Sequence, residues 1–141
     1  APDWSDFAFA DTDAVVRQAD LLTLHCPLTD ETRGLIDAER LGAMKSSARL
    51  INTSRGPVVD EAALRDALNA GEIAAAAVDV VSREPIAADN PLLEADNCLI
   101  TPHNAWTSIE ARRRLVETTA DNIRGFLNDD PIHVVNRPRN A

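Results

Sequence analysis

Short apolar runs and helical apolar stripes alternate along this chain. Asp11 or Thr12 can cap a helix over 13–19, and residues 1–11 before it predict no element. Leu21-Leu22-Thr23-Leu24 is a first strand, ended by His25-Cys26-Pro27. Leu28–Asp37 reads as a polar connection, and Asp37 caps a short helix over 38–44 with Leu41 and Met44 inward. Ala48–Asn52 is a second strand, broken by the polar turn Asn52-Thr53-Ser54-Arg55-Gly56-Pro57. Asp60 caps a helix over 61–70, with Ala63, Leu64, Ala67 and Leu68 as its stripe and Gly71 at C′. Ile73–Val81 reads as a third strand. Its alanines have helical propensity, but Gly71 has just closed one helix and Val78-Asp79-Val80-Val81 follows. Ser82–Asn97 is a loop with a short turn at Asn90-Pro91-Leu92-Leu93, and Cys98–Thr101 is a fourth strand stopped by Pro102. Thr107 and Glu110 have capping-box spacing and open the longest helix, 108–128, along which Ile109, Val116, Ala120, Ile123 and Leu127 recur. Asp129-Asp130-Pro131 ends it, and the tail Ile132–Asn136 reads as extended, then basic and frayed.

The order α–β–α–β–α–β–loop–β–α predicts an α/β fold: a parallel sheet with helices on both faces, followed by a long C-terminal helix. The chain has 141 residues, 45% of them hydrophobic and 26% charged, enough for one ordinary globular core. A net charge of −9 argues against nucleic acid or an anionic membrane as a general partner, while leaving room for a local basic pocket. No apolar run approaches the ~20 residues of a membrane span, and there is no basic-then-apolar leader, so a soluble, cytoplasmic protein is expected. Cys26 and Cys98 lie far apart with no C-x-x-C, and read as reduced, structural thiols. His25 with Cys26 lacks further ligands at zinc spacing, so no metal site is expected. The five glycines are never closer than eight residues, and no G-x-G-x-x-G or phosphate loop is present.

Ligands of open α/β sheets bind outside the carboxyl ends of the strands. His25, then Asn52 to Arg55, then Asp79 with Glu84 a little beyond, then His103 stand at or just past those ends. A guanidinium holds a carboxylate by two parallel hydrogen bonds. An imidazole exchanges a proton near neutrality, and a neighbouring carboxylate favours its protonated form. Such a set suits reduction of a 2-keto acid: Arg55 grips the acid, His103 protonates the forming alkoxide and Glu84 supports His103. The hydride has to come from a cofactor, since no side chain supplies one.

These residues carry a resemblance. Leu24-His25-Cys26-Pro27-Leu28-Thr29 with Glu31-Thr32 and Gly34-Leu35-Ile36, Asn52-Thr53-Ser54-Arg55-Gly56 with Val59-Asp60-Glu61, Val78-Asp79-Val80 with Glu84-Pro85, then Asn90-Pro91-Leu92 and Thr101-Pro102-His103 resemble the D-isomer-specific 2-hydroxyacid dehydrogenases. The match runs from about Asp20 to the end of the long helix. The resemblance implies a partial Rossmann-type sheet. Residues 1–104 would be the C-terminal part of an NAD(P)-binding domain. Residues 105–141 would be a helix and tail returning to a missing substrate domain. It also implies NAD or NADP as cofactor, a small 2-keto or 2-hydroxy acid as substrate and a homodimeric parent protein. Arg55, Glu84 and His103 would be catalytic, and Arg55 and His103 would bind substrate together with Trp106. His25, Cys26, Pro27, Thr53, Ser54, Arg55 and His103 would line the dinucleotide, and Asp79 would hold the nicotinamide carboxamide. His103-Asn104-Ala105-Trp106 is similar to the glycerate dehydrogenase, or hydroxypyruvate reductase, branch.

The family's glycine-rich phosphate turn, acidic ribose-binding residue and N-terminal substrate-domain portion have no counterpart here. The chain therefore reads as part of a longer enzyme, and is expected to bind NADH poorly and to be weakly active or inactive alone. Each residue also has a plain reading. Arg55 fits a surface arginine near a helix start, His103 a loop histidine, Glu84 a solvated carboxylate and Trp106 a hinge packing residue. The competing function is a dehydrogenase-like module that binds a dinucleotide or a protein without turnover.

Overall fold

The computed structural model describes residues 8–135, which divide after Asn104 into two compact units. The first holds α1 (Thr12–Gln18), β1 (Leu21–Leu24), α2 (Ala38–Ala43), β2 (Arg49–Asn52), α3 (Glu61–Asn69), β3 (Ala75–Val78) and β4 (Cys98–Ile100). Two 3-10 turns, Gly56–Val58 and Pro91–Glu94, interrupt the connections. The helix starts follow the expected chemistry: Asp11, Asp37 and Asp60 each accept backbone N–H groups at an N-cap. Gly71 follows α3 with φ +70°, the left-handed turn for which glycine has no steric cost.

The four strands form one parallel sheet in the order β1-β2-β3-β4. Its register aligns Leu22, Leu50, Ala76 and Cys98 in one row and Leu24, Asn52, Val78 and Ile100 in the next. These rows are buried or partly buried in the core with Val16, Ile36, Leu41, Leu64 and Ile73. Leu50 is completely buried, and truncating such a leucine to alanine costs about 2–5 kcal/mol.

Helix α1 packs against α2 and α2 against α3, so the three share one side of the sheet. The expected α/β unit, a parallel sheet flanked by helices, is what the structure shows. Consecutive right-handed crossovers in a sheet whose order never reverses all fall on the same face. The other face carries Leu21 and Leu99, both exposed, with Thr23, Ile51 and Ala77 between them.

Three expectations are corrected. The third strand spans only Ala75–Val78, because β2 offers it four partners. Ile73, Val80 and Val81 are apolar because they are buried beside the ladder, not within it. The Leu28–Asp37 connection is more than polar loop. Ile36 is buried and bridges Val59, and Pro57 and Val58 accept from the N–H groups of Gly34 and Ile36 at 2.8 and 3.0 Å. In the second unit, α4 (Ile109–Leu127) is capped by Ser108, which accepts from Ala111 N–H, and not by Thr107. Ser108 supplies the same hydroxyl acceptor one residue later.

No residue of α4 is buried, and of its expected stripe Ile109, Val116, Ile123 and Leu127 are exposed, as is Phe126, while Ala120 is half-buried. The chain then turns back: Asp130 N–H reaches Gly125 C=O at 2.9 Å, and His133 Nδ1 lies 2.8 Å from Asn122 Oδ1. The expected extended run from Ile132 is thus broken at His133, where the chain bends with φ positive, as it is at Asp129. The rest of the expected tail, from Asn136, lies outside the described residues. Among the described residues no helix is long and apolar enough to cross a membrane.

Candidate active site

Parallel pairing puts every strand's carboxyl end on one rim. Asn52 ends β2 there and is 1% exposed, a depth at which an amide must be bonded. Its Oδ1 accepts from the N–H and the hydroxyl of Ser54 at 3.0 and 2.9 Å, and its Nδ2 donates to Arg55 C=O at 3.0 Å. One buried side chain thus folds the turn that carries Arg55. The guanidinium itself is exposed and donates to Ser54 C=O at 2.7 Å. Thr53 is exposed and Ser54 half-buried on the same turn.

The next residue, Gly56, is fixed by close approach. A Cβ there would stand 2.0 Å from the carbonyl carbon of Val81 and 2.3 Å from Ser82 N. The Arg55 turn is thereby held against the segment that leads from β3 to Glu84. Glu84 Oε1 accepts from Val81 N–H at 3.3 Å, and Oε2 accepts from His103 Nδ1 at 2.7 Å. The Glu84 carboxyl is held below its ordinary range. The bond to His103 lowers it most, partial burial opposes, and the Val81 N–H and the charges of His103 and Arg55 lower it further.

Asp79 is buried at the end of β3, and its N–H donates to Asn52 C=O at 2.9 Å. Its Oδ1 accepts from Thr101 Oγ1 at 2.5 Å and from Asn104 N–H at 2.9 Å. These bonds bracket His103, which sits at φ +53°, a left-handed conformation uncommon for a residue with a side chain. Val81, Glu84, Pro85, Ile86, Ile100, Pro102 and His103 line a cleft of about 650 Å³ with Asp79.

The rim therefore gathers Arg55, Asp79, Glu84 and His103. His25 stands past β1 on the same rim, with Nε2 2.9 Å from Thr23 Oγ1. Cys26 packs partly against the core, and Pro27 C=O accepts from Thr32 Oγ1 at 2.6 Å. Trp106 belongs to the second unit. The sequence places Asn52 at the rim without its role as builder of the arginine turn, and Thr101 and Asn104 as anchors of the histidine strap are not predicted from it. Asn52 had a local signal, since an asparagine two residues before a serine suits a side-chain-closed turn. Burial of the Cys98 thiol in this unit pushes its pKa up, in keeping with a structural role.

A sheet of this topology with this rim has relatives. Residues 3–105 match the family model described as D-isomer specific 2-hydroxyacid dehydrogenase, NAD binding domain. The chain belongs to that family. It is 46% identical over 129 residues to a hydroxypyruvate reductase of Blautia hydrogenotrophica, covering 92% of this chain and 40% of that protein. It is 47% identical over 127 residues to a glycerate dehydrogenase of Methylorubrum extorquens, covering 89% of this chain and 40% of that protein. The crystal structure of D-lactate dehydrogenase with NAD+ from Lactobacillus jensenii superposes with a TM-score of 0.81 at 35% identity, over 91% of this chain and 43% of the other. The chain thus spans about two fifths of the length of the curated relatives it matches.

The described residues fit one end of a nicotinamide dinucleotide. The cleft beside His103 is lined by the apolar Val81, Pro85, Ile86, Ile100 and Pro102, suited to a flat ring, and by the buried carboxylate of Asp79. A diphosphate needs backbone N–H groups at a glycine-rich turn opening a helix, and this sequence contains no G-x-G-x-x-G.

Proposed function

We propose that this chain is the C-terminal part of an NAD(P)-binding domain, residues 1–104, followed by a helix and tail, 105–141, that belong to or pack on a substrate domain. Its parent enzyme reduces a 2-keto acid of the hydroxypyruvate or glyoxylate kind to the D-2-hydroxy acid, and works as a homodimer. NAD or NADP, when bound, supplies the hydride. Arg55 holds the substrate carboxylate, for which its planar fork is suited. His103 donates its Nδ1–H to Glu84, so the proton exchanged with the substrate oxygen is carried at Nε2. Glu84 orients the ring and stabilises the imidazolium. Asp79 holds the strap bearing His103 and, with Thr53, Ser54 and the His25–Pro27 turn, lines the cofactor. Trp106 walls the substrate.

The observation that carries this reading is the 2.7 Å contact between His103 and Glu84 on the rim that also bears Arg55. A carboxylate–imidazole pair beside an arginine is what protonation of a keto acid's oxygen requires. The test is consumption of NADH and of NADPH by the intact protein with hydroxypyruvate, glyoxylate and pyruvate in turn. Turnover with at least one keto acid, and a D-configured product, is expected. No turnover with any of them overturns the assignment.

A further inference from the structure

One carboxylate on this unit is committed to a loop it is remote from in sequence. Glu61 is the first residue of α3, directly after the cap Asp60. Its side chain does not serve its own helix. Oε1 accepts from Ser82 N–H at 2.6 Å, and Oε2 accepts from Ser82 Oγ at 2.6 Å and from Asn90 Nδ2 at 3.0 Å. Those partners are 21 and 29 residues away and bracket the loop that contains Glu84. Asn90 is buried, and its Oδ1 caps the next turn through Leu92 N–H at 2.9 Å.

The geometry points to Glu61 as a positioning residue for Glu84: it clamps both ends of the 82–90 loop and so fixes the carboxylate's reach to His103. Two observations support this role together. The Val81–Ser82 backbone also lies close against Gly56, so the loop's first residue is tied both to Arg55's turn and to α3. Glu84 lies two residues beyond that grip and contacts the loop's own base only through Val81 N–H, at 3.3 Å. The bond it makes to His103 is short by comparison, at 2.7 Å. A carboxylate on a nine-residue loop keeps such a bond only while the loop's ends are fixed. Charge-assisted hydrogen bonds to a carboxylate are the stronger kind. Among the described residues, the Glu61 side-chain hydrogen bonds go to Ser82 and Asn90. Glu61 acts through these two.

This inference rests on the proposed reductase for its kinetic consequence and not for its structural one, so two readouts are needed. The first is the titration midpoint of the Glu84 carboxyl carbon by NMR in the full chain. In Glu61→Ala the midpoint is expected to rise toward that of an ordinary glutamate, as the bond to His103 loosens. In Glu61→Gln, which keeps one oxygen for Ser82 N–H, it is expected to rise less. In Asp60→Ala, which removes the cap of the same helix and none of the loop's bonds, it is expected to stay in place. The second readout is kcat against KM for the keto acid in the intact protein. Glu61→Ala is expected to lower kcat about tenfold with KM changed less than about twofold, since small misplacement of a reacting group is felt in turnover.

A Glu84 midpoint unmoved in Glu61→Ala, or moved as far in Asp60→Ala, overturns the inference. If Glu61→Ala does not fold, the comparison of Glu61→Gln with the unaltered chain decides by the same criterion. Absence of keto-acid turnover in the unaltered protein removes the reductase reading alone and leaves the NMR result to judge Glu61.

Discussion

His103 Nδ1 lies 2.7 Å from Glu84 Oε2 across nineteen residues of chain. The bond is the largest cause of the depressed Glu84 pKa. The folded chain therefore releases this proton more readily than the unfolded chain does. The pair's contribution to stability is complete above the ordinary glutamate range and is lost as pH falls through the lower folded value. His103→Ala is expected to move the Glu84 midpoint upward in a carboxyl-carbon NMR titration. A midpoint indifferent to that substitution would contradict the pairing.

His103→Ala in the intact protein is also expected to remove most keto-acid reduction. A positioned general acid contributes roughly 10²–10⁴-fold, and the fall should appear in kcat. Cofactor affinity, followed by NADH fluorescence, should be largely spared. An unchanged turnover number would defeat the proton-transfer role.

Arg55→Lys keeps the charge and discards the fork. Hydrogen bonds to a charged group are worth about 1.5–3 kcal/mol, so KM for the keto acid should rise by about tenfold to a hundredfold. The stability of the chain should hardly change, because the guanidinium is exposed and bonds only to the neighbouring Ser54 carbonyl among the described contacts. A KM within twofold of the parent would remove the substrate carboxylate from Arg55.

Gly56→Ala should be costly although it adds a single methyl. That methyl would meet the Val81 and Ser82 backbone at 2.0 and 2.3 Å, and backbone cannot swing aside as a side chain can. Overpacking of this kind costs typically ~1–3 kcal/mol. Urea unfolding should show the loss as a lower midpoint with little change in slope. A variant as stable as the parent would mean that the Val81–Ser82 segment yields freely.

The order of elements was legible because local signals agreed with one another. Asp37 and Asp60 are aspartates immediately before helical stripes, and both are caps. Leu21–Leu24 is a bounded run of strand length and is a strand. What failed locally did so where burial and pairing separate. Val80 and Val81 are as apolar as strand residues but lie past the last partner β2 can offer. The packing of α1 on α2 and of α2 on α3 depends on strand order, which periodicity does not encode. In the rim, Arg55, Glu84 and His103 could be suspected from their places after apolar runs. The supports could not. Glu61 and Ser82 touch only after the whole β3 excursion has folded, and nothing in the Glu61 neighbourhood distinguishes it from a solvated helix-start carboxylate.

Neighbours in this sheet are also neighbours along the backbone, since the strands lie in the order β1-β2-β3-β4. The groups on the rim are thus delivered strand by strand, His25 after β1, Arg55 after β2, Asp79 and Glu84 after β3 and His103 after β4. The ladder sets the order of these groups, and the ties between connections, Gly56 against Val81–Ser82 and Glu61 to Ser82 and Asn90, hold them in alignment. A scaffold wired in series but cross-tied in this way leaves evolution free to revise only the connectors that carry no tie, altering what the pocket accepts while the reacting groups stay in step.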